Sequence, residues 1–349
     1  MKDFRSSIIL HCNPLEQISL SFKQKLKKYG FNIQNFVTEN KFSKKNKDLF
    51  FVLGGGMSLE RDISLLSSES VIETLIKLKY EVYFIDIGAD IIEITLKISS
   101  YKCKIFNLVH GKWGEDGNLQ SIFNIKSIRY TGSGVLASSA SFNKKIAYDI
   151  VSSNGIDIAN YQIFSKQHII DISKISSPFI IKPLEQGSSI GIELIDNPEN
   201  FDFKNYHFKY GEEVLLESFI KGKELQIAVF EGKILGILEL RLLKGKKFFD
   251  YQTKYNKGFA EHIYPAKITT EIASKIENLS KKIYNIFKCK GLIRIELIYE
   301  PIEEKLYFLE INTVPGMTKN SICPEIAAHS GIEYLILVEM MAKAADYEK

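Results

Sequence analysis

The chain has few cysteines, no long apolar run and little net charge, and each shortage excludes a class of protein. Its 349 residues include four cysteines with neither CxxC nor metal-ligand spacing. They predict reduced, mostly buried thiols in a cytoplasmic protein. No apolar run reaches membrane-spanning length, and residues 6–12 are too short for a signal peptide. The sequence therefore predicts neither a disulfide scaffold nor a membrane partner.

Positive charge is concentrated at the N-terminus. The whole chain carries +4, but residues 1–48 hold ten Lys/Arg and four Asp/Glu, a charge of +6, which leaves −2 for the remainder. A body without excess positive charge does not indicate nucleic-acid binding. We interpret residues 1–48 as a solvated basic extension with strands over 8–12 and 31–37 and a helix over 15–29. A nucleic-acid or membrane-surface role is the alternative for this segment.

The strongest chemical signal is a pair of alternating segments on either side of a polar turn at residues 300–305. Their alternation predicts a β-hairpin. The register that places Glu296 opposite Glu310 also places Arg294 opposite Asn312. Opposed carboxylates destabilise a bare sheet, but a divalent cation reverses that cost, since hard oxygen ligands suit Mg²⁺. The alternative interpretation is a solvated acidic face.

Two predicted parallel strands end in glycine-rich turns. Residues 49–56 predict a strand and a turn, followed by a helix from about 58 to 78 whose first turn carries Glu60. A strand over 105–109 ends at His110, in the run HGKWGEDG. Function gathers at the carboxyl ends of parallel strands. Glu60 is therefore a candidate to hold a substrate ammonium, and His110 a candidate functional side chain. Helix-dipole compensation by Glu60 and a structural histidine are the alternatives.

Lysines and serines in the second half suggest a phosphate site. A helix begins at residues 143–145, and a hydrophobic strand ends at Lys182. The loop at residues 185–191 that follows carries Ser188. A glycine-serine loop between antiparallel strands can offer N–H groups and hydroxyls to phosphates, although it lacks the Walker spacing.

A second set of residues suits an adenosine. Apolar Phe219 and Ile220 offer walls for a base, and Glu217 and Glu224 can accept from amino and hydroxyl groups. An exposed turn with ordinary acids is the alternative. The polar segment over residues 249–264 predicts a lid or a disordered loop, and residues 332–345 predict a packing helix.

Taken together, these motifs resemble the D-alanine–D-alanine ligases of the ATP-grasp superfamily. The resemblance covers roughly residues 49–340, in family order and spacing, and rests on GGGMSLERDIS, HGKWGEDGNLQ, YTGSG, IIKPLEQGSSIG, VLLESFIKGKEL, FDYQTKY, YPA, IRIEL and LEINTVPGMTKNS. It implies an α/β protein with a three-domain ATP-grasp fold and an N-terminal Rossmann-like (pre-ATP-grasp) parallel sheet. The expected segments are an extension at 1–48, a substrate domain at 49–136, a central ATP-grasp lobe at 137–216 and a C-terminal lobe at 217–349.

The resemblance also implies a reaction. ATP and two D-alanines would give D-alanyl-D-alanine, ADP and phosphate for peptidoglycan precursor synthesis, through a D-alanyl phosphate. Cofactors would be ATP and two Mg²⁺ (or Mn²⁺), with a monovalent cation as a further candidate. The partners are small substrates rather than nucleic acid or membrane, and the protein would be a cytoplasmic homodimer.

The family's functional roles carry over residue by residue. On the substrate side, Glu60 would pair with the first D-alanine's ammonium, supported by Ser188 and Tyr255, and His110 would lie near its carboxylate. Arg294 and the Gly316 N–H would stabilise the acyl phosphate and the oxyanion. The second D-alanine's carboxylate would be held by Ser321 and the Ile322 N–H.

On the nucleotide side, the resemblance assigns phosphates to three lysines, adenosine to four residues and metal to three. These are Lys144, Lys182 and Lys254 for phosphates; Glu217, Phe219, Ile220 and Glu224 for adenosine; and Glu296, Glu310 and Asn312 for metal. One departure stands out, because the family usually has aspartate where this chain has Glu296.

Three other functions compete with this interpretation. One is a D-alanine–D-lactate ligase or another ATP-grasp carboxylate–amine ligase, against which the dipeptide-type Lys254-Tyr255 pair argues. Another is a non-catalytic ATP-binding relative, whose signature would be a lost phosphate lysine or metal carboxylate. The third is a nicotinamide-dependent Rossmann enzyme, which would need a GxGxxG motif and an acidic residue at the right distance.

Overall fold

A computed structural model describes residues 7–10, 32–35, 49–88, 91–165, 177–197, 199, 201–243 and 259–348. The chain divides into two compact units, one made of residues 1–138, 289–293 and 313–349, the other of residues 139–288 and 294–312. The helix expected over 15–29 and most of the lid expected over 249–264 lie outside the described residues. In the described part of the chain, no helix is long and apolar enough to cross a membrane.

The first unit is built on a parallel sheet. Its strands are β1 Ser7–Leu10, β2 Asn32–Asn35, β3 Leu49–Gly55, β4 Glu81–Ile87, β5 Lys104–Asn107 and β6 Arg129–Tyr130. They lie in the order β2-β1-β4-β3-β5-β6, and each neighbouring pair is parallel. The chain passes from β3 to β4 on one side and then to β5 on the other. The carboxyl ends of β3 and β5 therefore form the switch point where such sheets bind ligands.

The described residues contain eight α-helices. They are α1 Arg61–Lys77, α2 Ile91–Ile98, α3 Asn118–Ile125, α4 Val135–Phe142, α5 Lys144–Ser153, α6 Thr270–Ile286, α7 Ile322–His329 and α8 Tyr334–Ala344. The predicted helices beginning near 58, at 143–145 and near 332 are confirmed as α1, α5 and α8.

Apolar sequence explains the centre of the first unit. All seven residues of β3 are buried, as expected for a parallel strand covered on both faces. Phe51 on β3 and Ile85 on β4 belong to one core cluster with Ile105 on β5. This core holds the strands in register, so it also fixes where their carboxyl ends lie.

Two short strands from the N-terminal segment join this sheet. β1 pairs with β4, and β2 pairs with β1. The strands predicted over 8–12 and 31–37 are confirmed in the described residues, as Ser7–Leu10 and Asn32–Asn35. The described parts of the segment therefore extend the edge of the sheet.

The second unit contains two sheets. One has the order β7-β10-β8-β9 and the other β13-β12-β11-β14-β15, with strands β7 Tyr161–Ser165, β8 Phe179–Pro183, β9 Glu193–Ile195, β10 Glu213–Ser218, β11 Lys223–Phe230, β12 Lys233–Leu242, β13 Ala260–Ile263, β14 Leu292–Glu300 and β15 Lys305–Asn312. β8 and β9 are antiparallel, so the serine loop joins two antiparallel strands as predicted.

The predicted hairpin is confirmed. Glu296 lies opposite Glu310, and Arg294 lies opposite Asn312. A β-bulge after Glu296 then shifts the pairing. The alternation predicted for β15 places Tyr307 and Leu309 on the apolar face with Ile311, but Phe308 between them is the buried side chain. A bulge adds one residue to one strand and re-aims its side chains.

Part of the predicted lid is regular structure. Residues 260–263 form β13, which pairs with β12, so the expectation of an irregular segment is wrong there. The chain then returns to the first unit after β15. The expected division at 1–48, 49–136, 137–216 and 217–349 stays a prediction.

Candidate active site

Glu60 stands at the N-terminus of α1, directly after the glycine turn that ends β3. It is the N-cap residue of the helix, and its backbone N–H donates to Ser58 Oγ at 3.2 Å. Gly111, after β5, passes close to this turn with a φ of +70°; a Cβ there would lie 3.0 Å from Ser58 Cβ and 3.5 Å from Glu60 Oε2. Only glycine fits such a backbone at low cost. The two strand ends therefore meet at Glu60, as the parallel sheet predicted.

His110 is buried and contacts a second acid. Its Nδ1 lies 3.2 Å from Glu115 Oε1, with both side chains largely shielded from solvent. Burial raises the pKa of the Glu115 carboxyl, the hydrogen bond from His110 lowers it, and the Glu60 carboxylate raises it further. Glu115 was assigned no role from sequence, although its place five residues after His110 in HGKWGEDG was the available signal.

An ion pair anchors the turn that carries Glu60. Arg61 donates from Nη1 to Asp86 Oδ1 at 2.6 Å and from Nη2 to Asp86 Oδ2 at 2.5 Å. Its Nη1 also donates to the Gly56 carbonyl at 3.2 Å. Two-pronged Arg–carboxylate pairs fix geometry as well as charge. The first residue of α1 is thus tied to both β4 and the glycine turn.

The loop after β15 brings three more predicted residues into the first unit. Gly316 packs so closely on Ser321 that a Cβ would lie 3.0 Å from Ser321 Oγ. Ser321 is the N-cap of α7 and Ile322 its first residue. The first N–H groups of a helix have no partner within the helix, so this end suits a carboxylate.

Two side chains outside the loop hold it in place. The Met317 N–H donates to Ser67 Oγ of α1 at 3.0 Å, and the Tyr334 hydroxyl of α8 donates to the Met317 carbonyl at 2.5 Å. Within the loop, the Thr318 N–H donates to Ser321 Oγ at 3.1 Å. Ser67 belongs to α1, whose N-cap residue is Glu60, so one helix supports both candidate features of this unit.

In the second unit, Lys144 is joined to the serine loop. Asn143 caps α5 by accepting from the Ile146 N–H. Lys144 then donates from Nζ to the Gln186 carbonyl at 2.7 Å. Ser188 is buried and has a φ of +51°, a left-handed conformation that is costly for a residue with a Cβ. Lys144 and the loop therefore lie together, as the phosphate-site prediction requires.

Lys182 and Glu217 form a buried pair with a tyrosine. Lys182 Nζ lies 2.7 Å from Glu217 Oε1 and donates to the Tyr148 hydroxyl at 3.0 Å. The Tyr148 hydroxyl donates to Glu217 Oε2 at 2.6 Å. Phe219 and Ile220 follow directly after β10 and are half-buried. Tyr148 was missed from sequence, because a tyrosine on a helix carries no local sign of a lysine on another element.

A buried amide links the remaining adenosine candidate to the hairpin. Gln226 on β11 donates from Nε2 to Glu224 Oε1 at 3.0 Å and to Glu296 Oε2 at 3.1 Å. Its Oε1 is buried without a hydrogen-bond partner among the described residues. Gln226 was also missed from sequence. One amide therefore orients two carboxylates that were assigned to different ligands.

Arg294 lies against both hairpin carboxylates. Its Nε donates to Glu296 Oε1 at 2.9 Å, its Nη2 also contacts that oxygen, and Nη2 lies 3.9 Å from Glu310 Oε1. No group of three or more His, Cys, Asp or Glu side chains suited to a metal occurs in the described ranges. Two carboxylates and the Asn312 amide are still the oxygen donors that Mg²⁺ uses together with phosphate oxygens. The donor set fits the predicted ion.

Two predicted residues, Lys254 and Tyr255, lie outside the described residues. Glu60 belongs to the first unit and Ser188 to the second. The predicted network of Glu60, Ser188 and Tyr255 therefore stays a prediction.

Known proteins are similar to this chain in sequence and in fold. The family model for the "D-ala D-ala ligase C-terminus" matches residues 150–343. The D-alanine–D-alanine ligase of Rickettsia bellii (strain RML369-C) is 49% identical over 307 residues, covering 88% of this chain and 94% of the relative. That of Rickettsia canadensis (strain McKiel) is 49% identical over 298 residues, covering 85% and 83%.

Solved structures of ligases are similar to this chain in fold. A D-alanine–D-alanine ligase from Bacillus anthracis complexed with ATP matches with a TM-score of 0.73 and 26% identity, covering 85% of this chain and 96% of that chain. The VanG D-Ala:D-Ser ligase from Enterococcus faecalis matches with a TM-score of 0.71 and 26% identity, covering 85% and 98%. The fold is that of an ATP-grasp ligase. Within that class, the chain belongs to the D-alanine–D-alanine ligase family.

Proposed function

We propose that this chain joins two D-alanines into D-alanyl-D-alanine at the expense of ATP, for peptidoglycan precursor synthesis. The observation that carries the proposal is the hairpin, where Arg294 contacts Glu296 and lies beside the opposed Glu310. A metal ion held by the carboxylates of Glu296 and Glu310 would suit phosphoryl transfer from ATP to the carboxylate of a substrate. The family relationship over most of the chain supports D-alanine as the substrate.

Most of the residues that would bind the amino acids belong to the first unit. Glu60 would pair with the ammonium of the first D-alanine, with Ser188 and Tyr255 supporting it, and His110 would lie near its carboxylate. Ser321 and the Ile322 N–H, at the start of α7, would receive the carboxylate of the second D-alanine. The contact of His110 with Glu115 supports a fixed orientation for that imidazole.

Residues of the second unit would hold the nucleotide. Lys144 and Lys182 would bind phosphates, and Lys254 would reach the transferred phosphoryl group. Adenosine would contact Glu217, Phe219, Ile220 and Glu224. The tie between Lys144 and the serine loop supports this, because closing such a loop excludes water that would otherwise hydrolyse the acyl phosphate.

Glu296, Glu310 and Asn312 would hold two Mg²⁺ or Mn²⁺ ions. When bound, the ions neutralise phosphate charge. Arg294 and the Gly316 N–H would stabilise the acyl phosphate and the oxyanion formed when the second amine attacks. Anchoring of the Gly316 loop by Ser67 and Tyr334 supports this role, since oxyanion donors work best when they are preorganised.

Assembly, location and the domain division are proposed from the family alone. We propose a cytoplasmic homodimer, a monovalent cation as a further cofactor, and a substrate domain followed by two ATP-grasp lobes. A second candidate function, ligation of D-alanine to D-serine, is favoured by the fold similarity to the Enterococcus faecalis ligase.

One assay separates these activities. Purified full-length protein is incubated with ATP, Mg²⁺ and D-alanine, then with D-alanine plus D-serine or D-lactate, and phosphate release and products are measured by mass spectrometry. We expect D-alanyl-D-alanine as the main product and none from L-alanine. A chain that hydrolyses ATP without forming any dipeptide or depsipeptide would contradict the proposal. A mixed product with D-serine in excess would favour the second candidate.

A further inference from the structure

Tyr148 contacts two residues that the proposed function assigns to ATP. It lies on α5, its hydroxyl donates to Glu217 Oε2 at 2.6 Å, and it accepts from Lys182 Nζ at 3.0 Å. The Lys182 ammonium also lies 5.2 Å from the centre of the Tyr148 ring. All three side chains are buried, with 1% to 3% of each residue exposed. The three groups close a hydrogen-bonded triangle contributed by a helix and two strands.

The direction of each hydrogen bond in the triangle is determined by charge. An ammonium can only donate and an ionised carboxylate can only accept, so the hydroxyl must accept from Lys182 and donate to Glu217. Burial, followed by the Glu217 carboxylate, raises the pKa of Tyr148 well above its ordinary value. The hydroxyl therefore keeps the proton that it donates. Lys182 Nζ uses two of its three N–H donors in the triangle, which leaves one for a phosphate.

The arrangement also leaves Glu217 able to accept a hydrogen bond from a nucleotide base. Lys182 reaches one oxygen and Tyr148 the other, and a carboxylate has about four acceptor positions. The remaining positions can accept from an exocyclic amino group. They cannot accept from a keto oxygen, which carries no proton to donate.

We propose that Tyr148 is a positioning residue for nucleotide recognition, which orients Glu217 toward the 6-amino group of adenine and Lys182 toward a phosphate. This inference rests on the proposed function, because ATP is the nucleotide that it concerns. It adds a residue that touches neither substrate nor metal and acts through the two residues that do. Removing the hydroxyl leaves two buried charged groups each short of one hydrogen bond, and hydrogen bonds to charged groups are among the stronger ones.

The test is Tyr148→Phe in the full-length protein, with ATP and inosine triphosphate compared as substrates. Inosine triphosphate carries a keto oxygen where ATP carries the amino group. We expect KM for ATP to rise about tenfold or more, KM for D-alanine to change little, and the preference for ATP over inosine triphosphate to fall. A tyrosine that only packs would lower the melting temperature and leave the nucleotide preference unchanged.

Tyr161→Phe is the matched control. Its ring packs on Tyr148 at 5.3 Å between centroids, but its hydroxyl donates to the exposed Asp149 at 2.5 Å, so nucleotide kinetics should match wild type. An unchanged preference in Tyr148→Phe overturns the inference. If Tyr148→Phe does not fold, Glu217→Gln is tested in its place. A preference for ATP over inosine triphosphate that is undiminished in Glu217→Gln also overturns the inference. A wild-type protein that makes no dipeptide would instead contradict the proposed function.

Discussion

Glu296 and Glu310 face each other across β14 and β15, with Arg294 Nε 2.9 Å from Glu296 Oε1 and Arg294 Nη2 3.9 Å from Glu310 Oε1. Two like charges at directly opposed positions destabilise a sheet. Arg294 offsets that repulsion within the chain itself. The hairpin can therefore fold without an ion and still present two carboxylates to one.

Glu310→Gln tests the second of these carboxylates. It keeps the shape of the side chain and removes the charge. We expect Mg²⁺-dependent turnover to fall roughly tenfold or more, with an unchanged circular dichroism spectrum. Glu304→Gln, in the exposed turn of the same hairpin, is the control. Equal activity of wild type and Glu310→Gln across a Mg²⁺ titration would remove the hairpin from the mechanism.

Substitutions of Gln226 test whether the carboxylate assigned to adenosine, Glu224, is coupled to the carboxylate assigned to metal, Glu296. Gln226→Leu removes the donor shared by Glu224 and Glu296, so both KM for ATP and the Mg²⁺ concentration for half-maximal rate should rise. Gln226→Glu should be more damaging, because it adds a buried carboxylate beside two others. If Gln226→Leu changes only one of the two quantities, the amide does not couple them.

Ser67 tests the support of the Gly316 loop. Ser67→Ala leaves the Met317 N–H without its acceptor in a buried position, a loss of about 1–3 kcal/mol. We expect kcat to fall about tenfold while KM for ATP stays constant. Ser68→Ala, which removes a bond to the Ser64 carbonyl in the same helix, should leave kcat near wild type. A loss of stability alone, at full kcat, would make Ser67 a packing residue.

The raised pKa of Glu115 predicts that the stability of the folded protein depends on pH. Burial raises the pKa of its carboxyl above the ordinary value of 4.5, and the Glu60 carboxylate adds to the rise. The folded protein therefore holds this proton more tightly than the unfolded chain does. The free energy of unfolding that comes from this proton is fully present below the ordinary pKa, and it is lost as the pH rises toward the raised pKa of the folded state. The Tm of wild type should fall relative to that of Glu115→Gln as pH increases above 4.5. Parallel Tm profiles would show that the carboxyl keeps its ordinary pKa.

Local patterns in the sequence determined much of the framework. The alternation of β14 and β15 about a short polar turn predicted the hairpin and placed Glu296 and Glu310 on the polar faces of their strands. Asn143 marked the start of α5, because its side chain satisfies a helix N–H within three residues. Glu60 and His110 were found for a related reason, since parallel strands deliver their carboxyl ends to one edge.

Only the tertiary structure decided which side chains support those residues. Tyr148 lies 69 positions from Glu217, Gln226 lies 70 from Glu296, and Ser67 lies 250 from Met317. The bulge that buries Phe308 likewise depends on how β15 packs, not on its alternation. Hydrogen bonds between distant segments leave no periodic trace in a sequence. They form because packing of the sheets and helices brings buried polar groups together, and each group must then find a partner.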